Sequence, residues 1–159
     1  MRYLGIDPGL QLTGYGVLDV GDRRTLVPAL VDAGVIRLTV KASIPKRLVE
    51  LETELGALID EVKPDVIAVE QLYAHYKHPR TAILMGHARG VILWSAARRN
   101  IRLVELPANR IKKNLVGHGH ASKPQMQRGV QDLFKLKELP EPPDVADAIA
   151  IALCAARAE

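Results

Sequence analysis

Four carboxylates stand where a folded chain could gather them: Asp7, Glu70, Asp144 and Asp147. Asp7 follows the strand-like run Arg2-Tyr3-Leu4-Gly5-Ile6 and precedes Pro8-Gly9, a tight-turn pair that would hold an acid at the sheet edge. Glu70 follows Val66-Ile67-Ala68-Val69, a short apolar run of the kind buried in parallel sheets, and ligands of open α/β sheets bind beyond the carboxyl ends of such strands. Asp144 and Asp147, three apart, share one face of a helix's first turn. Singly, each has a plain structural reading: turn chemistry for Asp7, a solvated strand end for Glu70, and a favourable helix-dipole interaction for the pair. Together they form an all-oxygen donor set suited to one or two hard divalent cations such as Mg²⁺. Two such ions about 4 Å apart activate an attacking water and stabilise the leaving oxygen of a phosphodiester.

The elements that must position these acids can be read from apolar spacing. Strand signals cover residues 2–6, 14–20 and 26–40, with Gly21-Asp22 as a turn. Leu48, Leu51, Leu55, Leu58 and Val62 recur at helical spacing, so a helix is expected over residues 44–62, with Ser43 able to cap it and Pro64 to end it. After strand 66–69 and a polar loop at 73–79, the pattern predicts a helix at 80–99, a strand at 101–106 and a helix at 108–116. Ser122-Lys123-Pro124-Gln125 has the form of a capping box with proline in the first turn, opening a helix to about residue 136. A Pro-rich break at 140–143 precedes the last helix, 144–157. The order predicts an α/β domain spanning 1–159: a mixed five-stranded sheet, three antiparallel strands then parallel ones, with helices on both faces.

Charge is segregated along the chain. Residues 71–124 carry ten Lys and Arg (Lys77, Arg80, Arg89, Arg98, Arg99, Arg102, Arg110, Lys112, Lys113, Lys123) against the single acid Glu105, a local balance of +9 within an overall +4. Clustered cations suit phosphate and clustered acids suit hydrated metal; a solvated basic face is the plain alternative. The one cysteine, Cys154, excludes an intramolecular disulfide and reads as a core residue of the last helix. No apolar run approaches membrane-spanning length, and a soluble cytoplasmic protein is expected.

Three motifs in order, Gly5-Ile6-Asp7-Pro8-Gly9 with Thr13-Gly14-Tyr15-Gly16, Ala68-Val69-Glu70-Gln71, and Asp144-Val145-Ala146-Asp147-Ala148-Ile149-Ala150-Ile151-Ala152, resemble the RuvC family of bacterial Holliday-junction resolvases over essentially the whole chain. The resemblance implies a ribonuclease-H-like fold, a homodimer, and paired symmetric cuts in opposing strands of a four-way DNA junction, with Mg²⁺ or Mn²⁺ as cofactor. It makes Asp7, Glu70, Asp144 and Asp147 the catalytic, metal-holding carboxylates. It makes Lys112 the active-site lysine, with adjacent Lys113 leaving a one-residue ambiguity, and Lys123 the second lysine. Lys123 makes independent physical sense with DNA, because a cation in a helix's first turn opposes the macrodipole whereas a phosphate there is favoured by both. The family's base-stacking aromatic falls at Tyr73, where Phe is the usual form, and Tyr76 competes for that role. Cooperation with the RuvA–RuvB branch-migration machinery is also implied.

Weaker signals remain. His118 and His120 in a Gly-rich loop lack partnering ligands and fit a DNA-facing loop better than a metal site. Arg98, Arg99 and Arg102 read as a solvated helix end. Gly86 and Gly90, with Leu84 and Trp94, suggest either a dimer contact or intrachain packing. The rival readings are a sugar-kinase or actin-like ATPase, whose phosphate loop also runs strand, Gly-Ile-Asp, Gly but which needs two such domains, a ribonuclease H or smaller resolvase, and a non-catalytic junction binder.

Overall fold

Alternation along the strands decides which side chains reach which layer. A computed structural model describes residues 1–21, 27–72 and 79–158. Among them, β1 (Arg2–Asp7), β2 (Leu12–Asp19), β3 (Ala29–Arg37), β4 (Val66–Glu70) and β5 (Arg102–Leu106) form one sheet in the order β3-β2-β1-β4-β5. β1, β2 and β3 pair antiparallel, while β4 runs parallel to β1 and β5 parallel to β4. Leu4, Ile6, Val17, Ile67 and Val69 point to one face, against Leu51, Leu55 and Ile59 of α1 (Ile44–Val62) and Ala88, Ile92 and Ala96 of α2 (Pro79–Arg98). Tyr3, Leu18, Val66 and Ala68 point to the other, under α3 (Ala108–Val116), α4 (Lys123–Phe134) and α5 (Pro143–Ala156). By the two-residue period of a strand, Asp7 shares the second face with Tyr3, and Glu70 shares it with Val66 and Ala68.

α5 is apolar almost all round and buried along its length, as the central helix of such a layer must be. It lies unusually close to the sheet because glycines form its floor. A Cβ on Gly5 would sit 2.2 Å from the Ala148 carbonyl oxygen, and one on Gly14 would sit 2.2 Å from the Asp144 carbonyl oxygen. Ala148 and Ala152 on the helix side keep the gap narrow. The alternating small residues of the first and third sequence motifs are therefore the two halves of one close helix–sheet contact. Cys154 is buried in this layer, where desolvation pushes its thiol pKa up, as a core residue's should be.

Some local expectations change. β3 is shorter than residues 26–40 suggest, and the β2–β3 register shifts between Val17 and Leu18. Ser43 occupies the N-cap position of α1 but makes no side-chain cap. Ser122 and Gln125 form the full capping box, with Gln125 Oε1 accepting from the Ser122 N–H at 2.8 Å and Ser122 Oγ accepting from the Gln125 N–H at 3.4 Å. Arg98 and Arg102 are exposed, as a solvated helix end would be, although Arg98 also lies 3.6 Å from Glu52 of α1; Arg99 is drawn in, pairing with Glu52 and donating from Nε to Asp60 at 3.1 Å, so that it joins α1 to α2. Among the described residues, no helix is long and apolar enough to cross a membrane.

Candidate active site

At the carboxyl ends of β1 and β4 the sheet opens into a cleft of about 610 Å³ lined by Asp7, Glu70, Asp144 and Asp147, with Lys112 and Lys123 on its wall. Each acid arrives by a different local device. Asp7 ends β1 and is followed by a turn that Thr13 fastens: its buried hydroxyl donates to the Gly9 carbonyl at 2.8 Å and accepts from the Gly9 N–H at 3.2 Å. Glu70 ends β4, where Arg89 of α2 donates from Nε to its carbonyl oxygen at 3.3 Å. The same guanidinium is ion-paired with Glu105 of β5, which gives the one acid of the basic segment a structural task. The helix begins at Pro143, so Asp144 arrives on the first turn of α5 and Asp147 at the start of its second, both at an end whose approach is held by Gln127 of α4 donating to the Pro140 carbonyl at 3.0 Å from a buried side chain.

The electrostatics report one coupled cluster. Burial raises the Asp7 carboxyl well above the ordinary aspartate range, the charges of Asp147, Asp144 and Glu70 raise it further, and Lys123 opposes them. Glu70 is raised by burial and by Asp147, against Lys112. Asp147 is raised chiefly by burial, with Lys123 and Lys112 pulling down and Asp144 pushing up. Among the described residues, none of the four carboxylates has a hydrogen-bond donor or an ion-pair partner on its side chain. The lysines are near enough to be felt and too far to neutralise.

Such a set fits a divalent cation by its chemistry: oxygen donors, partial burial, and mutual repulsion that a positive ion would relieve. Among the described residues, no three His, Cys, Asp or Glu side chains already stand close enough to enclose an ion.

Lys112 faces the cleft, whereas Lys113 is exposed and points away, so geometry separates the two neighbours. Tyr73 and Tyr76 lie outside the described residues. His118 and His120 are exposed and outside the cleft lining. On α2, Trp94 (51% exposed) and Ile83 (62% exposed) lie with Gly90 on the outer surface, while Gly86 faces Leu72 and Leu84 packs toward the core; Leu84 therefore does not belong with Trp94. The sequence reading missed Arg47, which lines the cleft, Thr13, which fastens the turn after Asp7, and Arg89, which holds the Glu70 carbonyl. Their partners lie 4, 19 and up to 37 residues away, and no local pattern marks such pairs.

The sheet order and the acidic, lysine-flanked cleft define a nuclease of the ribonuclease-H-like fold. The family model for crossover junction endodeoxyribonuclease RuvC matches residues 3–155. The chain is 45% identical over 151 residues to the RuvC of Rhodopirellula baltica, covering 95% of this chain and 83% of that protein. It is 40% identical over 154 residues to the RuvC of Caldicellulosiruptor saccharolyticus, covering 97% and 91%. Thermus thermophilus RuvC in complex with Holliday junction substrate superposes with a TM-score of 0.87 at 30% identity, covering 98% of this chain and 93% of that one. The chain belongs to the RuvC family of crossover junction endodeoxyribonucleases.

Proposed function

We propose that the protein resolves four-way DNA junctions by divalent-metal-dependent hydrolysis, acting as a homodimer that makes paired symmetric cuts. The observation that carries this is the convergence of Asp7, Glu70, Asp144 and Asp147 on one cleft beside Lys112 and Lys123. The four carboxylates would hold Mg²⁺, with Mn²⁺ as a substitute, in a one- or two-ion site. When bound, the metal lowers the pKa of a water and neutralises charge developing on the phosphate.

The chain's own groups do the rest. Lys112 and Lys123 offset the acids' charge and admit a phosphodiester that four bare carboxylates would repel. Thr13, Arg89 and the glycine floor under α5 fix where the acids stand, so the ions do not have to assemble the site from mobile parts. Tyr73 stacks on bases at the opened crossover, with Tyr76 as the competing residue; stacking contributes about 1–3 kcal/mol per base and tolerates any base.

The dimer uses the outer face of α2, where Ile83, His87, Gly90 and Trp94 fall at helical spacing and a methyl on Gly90 would meet nothing within 4 Å. Ile83 and Trp94 are the exposed apolar residues of that stripe, and the Arg98 guanidinium lies over the Trp94 ring at 5.1 Å. RuvA–RuvB would deliver the junction.

The test offers the protein a synthetic four-way junction, a linear duplex and an RNA–DNA hybrid, each with Mg²⁺ or EDTA. Symmetric nicks in the junction alone, and only with Mg²⁺, are expected. Preferential cutting of the hybrid would replace this reading with a ribonuclease H, and metal-dependent binding without nicking would replace it with a junction binder.

A further inference from the structure

The cleft has a third cation that no role above uses. Arg47, in the first turn of α1, lines the same cleft as the four acids but approaches from the opposite helical layer to Lys112 and Lys123. Its guanidinium donates to three backbone carbonyls: from Nε to Ala42 at 2.9 Å, from Nη1 to Leu10 at 3.3 Å, and from Nη2 to Val40. Those bonds fix the group rigidly, joining the loop that follows Asp7 to the loop that precedes α1. They do not neutralise it.

Carbonyls are dipoles, and among the described residues no carboxylate lies within ion-pairing distance of Arg47. Among the described residues, two of the five N–H donors of its guanidinium have no acceptor. A fixed, partly buried guanidinium on the wall of the cleft that bonds only carbonyl dipoles keeps its charge and two N–H donors, which suits it to an oxyanion such as a phosphate.

We propose that Arg47 is a third phosphate-binding cation of the cleft, holding a backbone phosphate that flanks the one being cut. Resting on the junction-cleavage reading, this places the DNA strand between two banks of cations, the lysines of α3 and α4 on one side and Arg47 on the other. The cut phosphate lies over the acids, and Arg47 fixes the direction in which the strand leaves toward the Leu10-Gln11-Leu12 wall.

The experiment measures junction binding in EDTA across a salt titration for the wild type, Arg47→Gln and Arg47→Lys, with thermal midpoints recorded alongside. Each phosphate neutralised contributes about 0.9 to the slope of log K against log salt, so per protomer engaged the wild type should lose about eightfold more affinity than Arg47→Gln for each tenfold rise in salt. Arg47→Lys should keep the wild-type slope while its midpoint falls, because the charge stays and the carbonyl bonds do not.

A Gln variant with the wild-type slope overturns the proposal, whatever its midpoint. A slope lost equally in both variants also overturns it, by tracing the effect to the displaced Leu10 loop. If neither variant folds, the Arg47 Nε–H resonance of ¹⁵N-arginine-labelled wild type decides: a shift on saturation with junction in EDTA is expected, and an unmoved signal overturns the proposal. Failure of the wild type to bind junctions at all would overturn the function reading, and this one with it, a result distinct from an unchanged slope.

Discussion

Replacing Gly14 with alanine tests whether the close seat of α5 is what assembles the acids. The added methyl would lie 2.2 Å from the Asp144 carbonyl oxygen, 2.6 Å from its carbon and 3.2 Å from its Cβ. The neighbour is backbone, so no side-chain rotation relieves the clash. Ordinary contact begins near 3.4 Å, so β2 and the first turn of α5 must part by about 1.2 Å. That turn carries Asp144 and leads directly into Asp147, and the displacement falls on the cleft rather than on the core beyond it.

Overpacking of this kind costs about 1–3 kcal/mol of stability. A misplacement of about 1 Å in catalytic groups costs on the order of a hundredfold in rate. Single-turnover cleavage of a junction at saturating protein and Mg²⁺ should therefore fall about a hundredfold in Gly14→Ala, with a lowered thermal midpoint and nearly unchanged junction binding in EDTA. Gly21→Ala, whose methyl meets nothing within 4 Å, is the control and should change neither rate nor stability. A Gly14→Ala protein that is destabilised as expected yet cuts within a few-fold of wild type would refute the reasoning, because the acids of α5 would then not need their observed place.

The remaining expectations concern charge. Asp7→Asn should abolish cleavage and leave junction binding intact, since the acid serves metal and not affinity; retained cleavage in a Mg²⁺ titration would contradict its role. Lys112→Ala should slow cleavage by at least tenfold while Lys113→Ala changes it little, because only Lys112 lines the cleft; about 1.4 kcal/mol separates those outcomes. Asp7, Glu70 and Asp147 all have raised pKa values, so the folded state favours their protonated forms. In EDTA their contribution to stability is fully present below the ordinary carboxylate range and is lost as pH rises through the raised values; Mg²⁺ should restore it at neutral pH, as thermal midpoints against pH would show. Arg89→Gln removes a charged donor from the Glu70 carbonyl and should raise the Mg²⁺ concentration needed for half-maximal cleavage by about tenfold or more, the loss of one charge-assisted hydrogen bond being worth about 1.5–3 kcal/mol.

The parts of this molecule that could be read from its sequence are those governed by local rules. The capping box at Ser122, the helical spacing from Leu48 to Val62, and the β-branched run before Glu70 each state their own conformation. So does the placement of Asp7 and Glu70 at strand ends, and alternation then gives both the same face. The segregation of charge anticipated cations beside acids, though not that Glu105 would be taken by Arg89 or Arg99 by α1.

Contacts between distant elements could not be read. Gly5, Gly14 and Gly16 were visible as a motif, but only the lie of α5 shows that they exist to admit it. Arg47 looked like any arginine of an amphipathic helix, because its partners are carbonyls of two loops, and carbonyls carry no sequence signature. Leu84 and Trp94 seemed neighbours on one helix, yet ten residues of turn put one toward the core and the other in solvent.

The claim on which everything else depends is that the four carboxylates close around a divalent ion. Anomalous scattering from Mn²⁺ in crystals of the protein with an uncut junction measures it directly. The account requires Mn²⁺ peaks in the cleft within coordination distance of Asp7 and Glu70 and of at least one of Asp144 and Asp147, and their loss in Asp7→Asn. Peaks at His118 and His120 instead, or a cleft without Mn²⁺ in a crystal that cuts its junction when warmed, would contradict it.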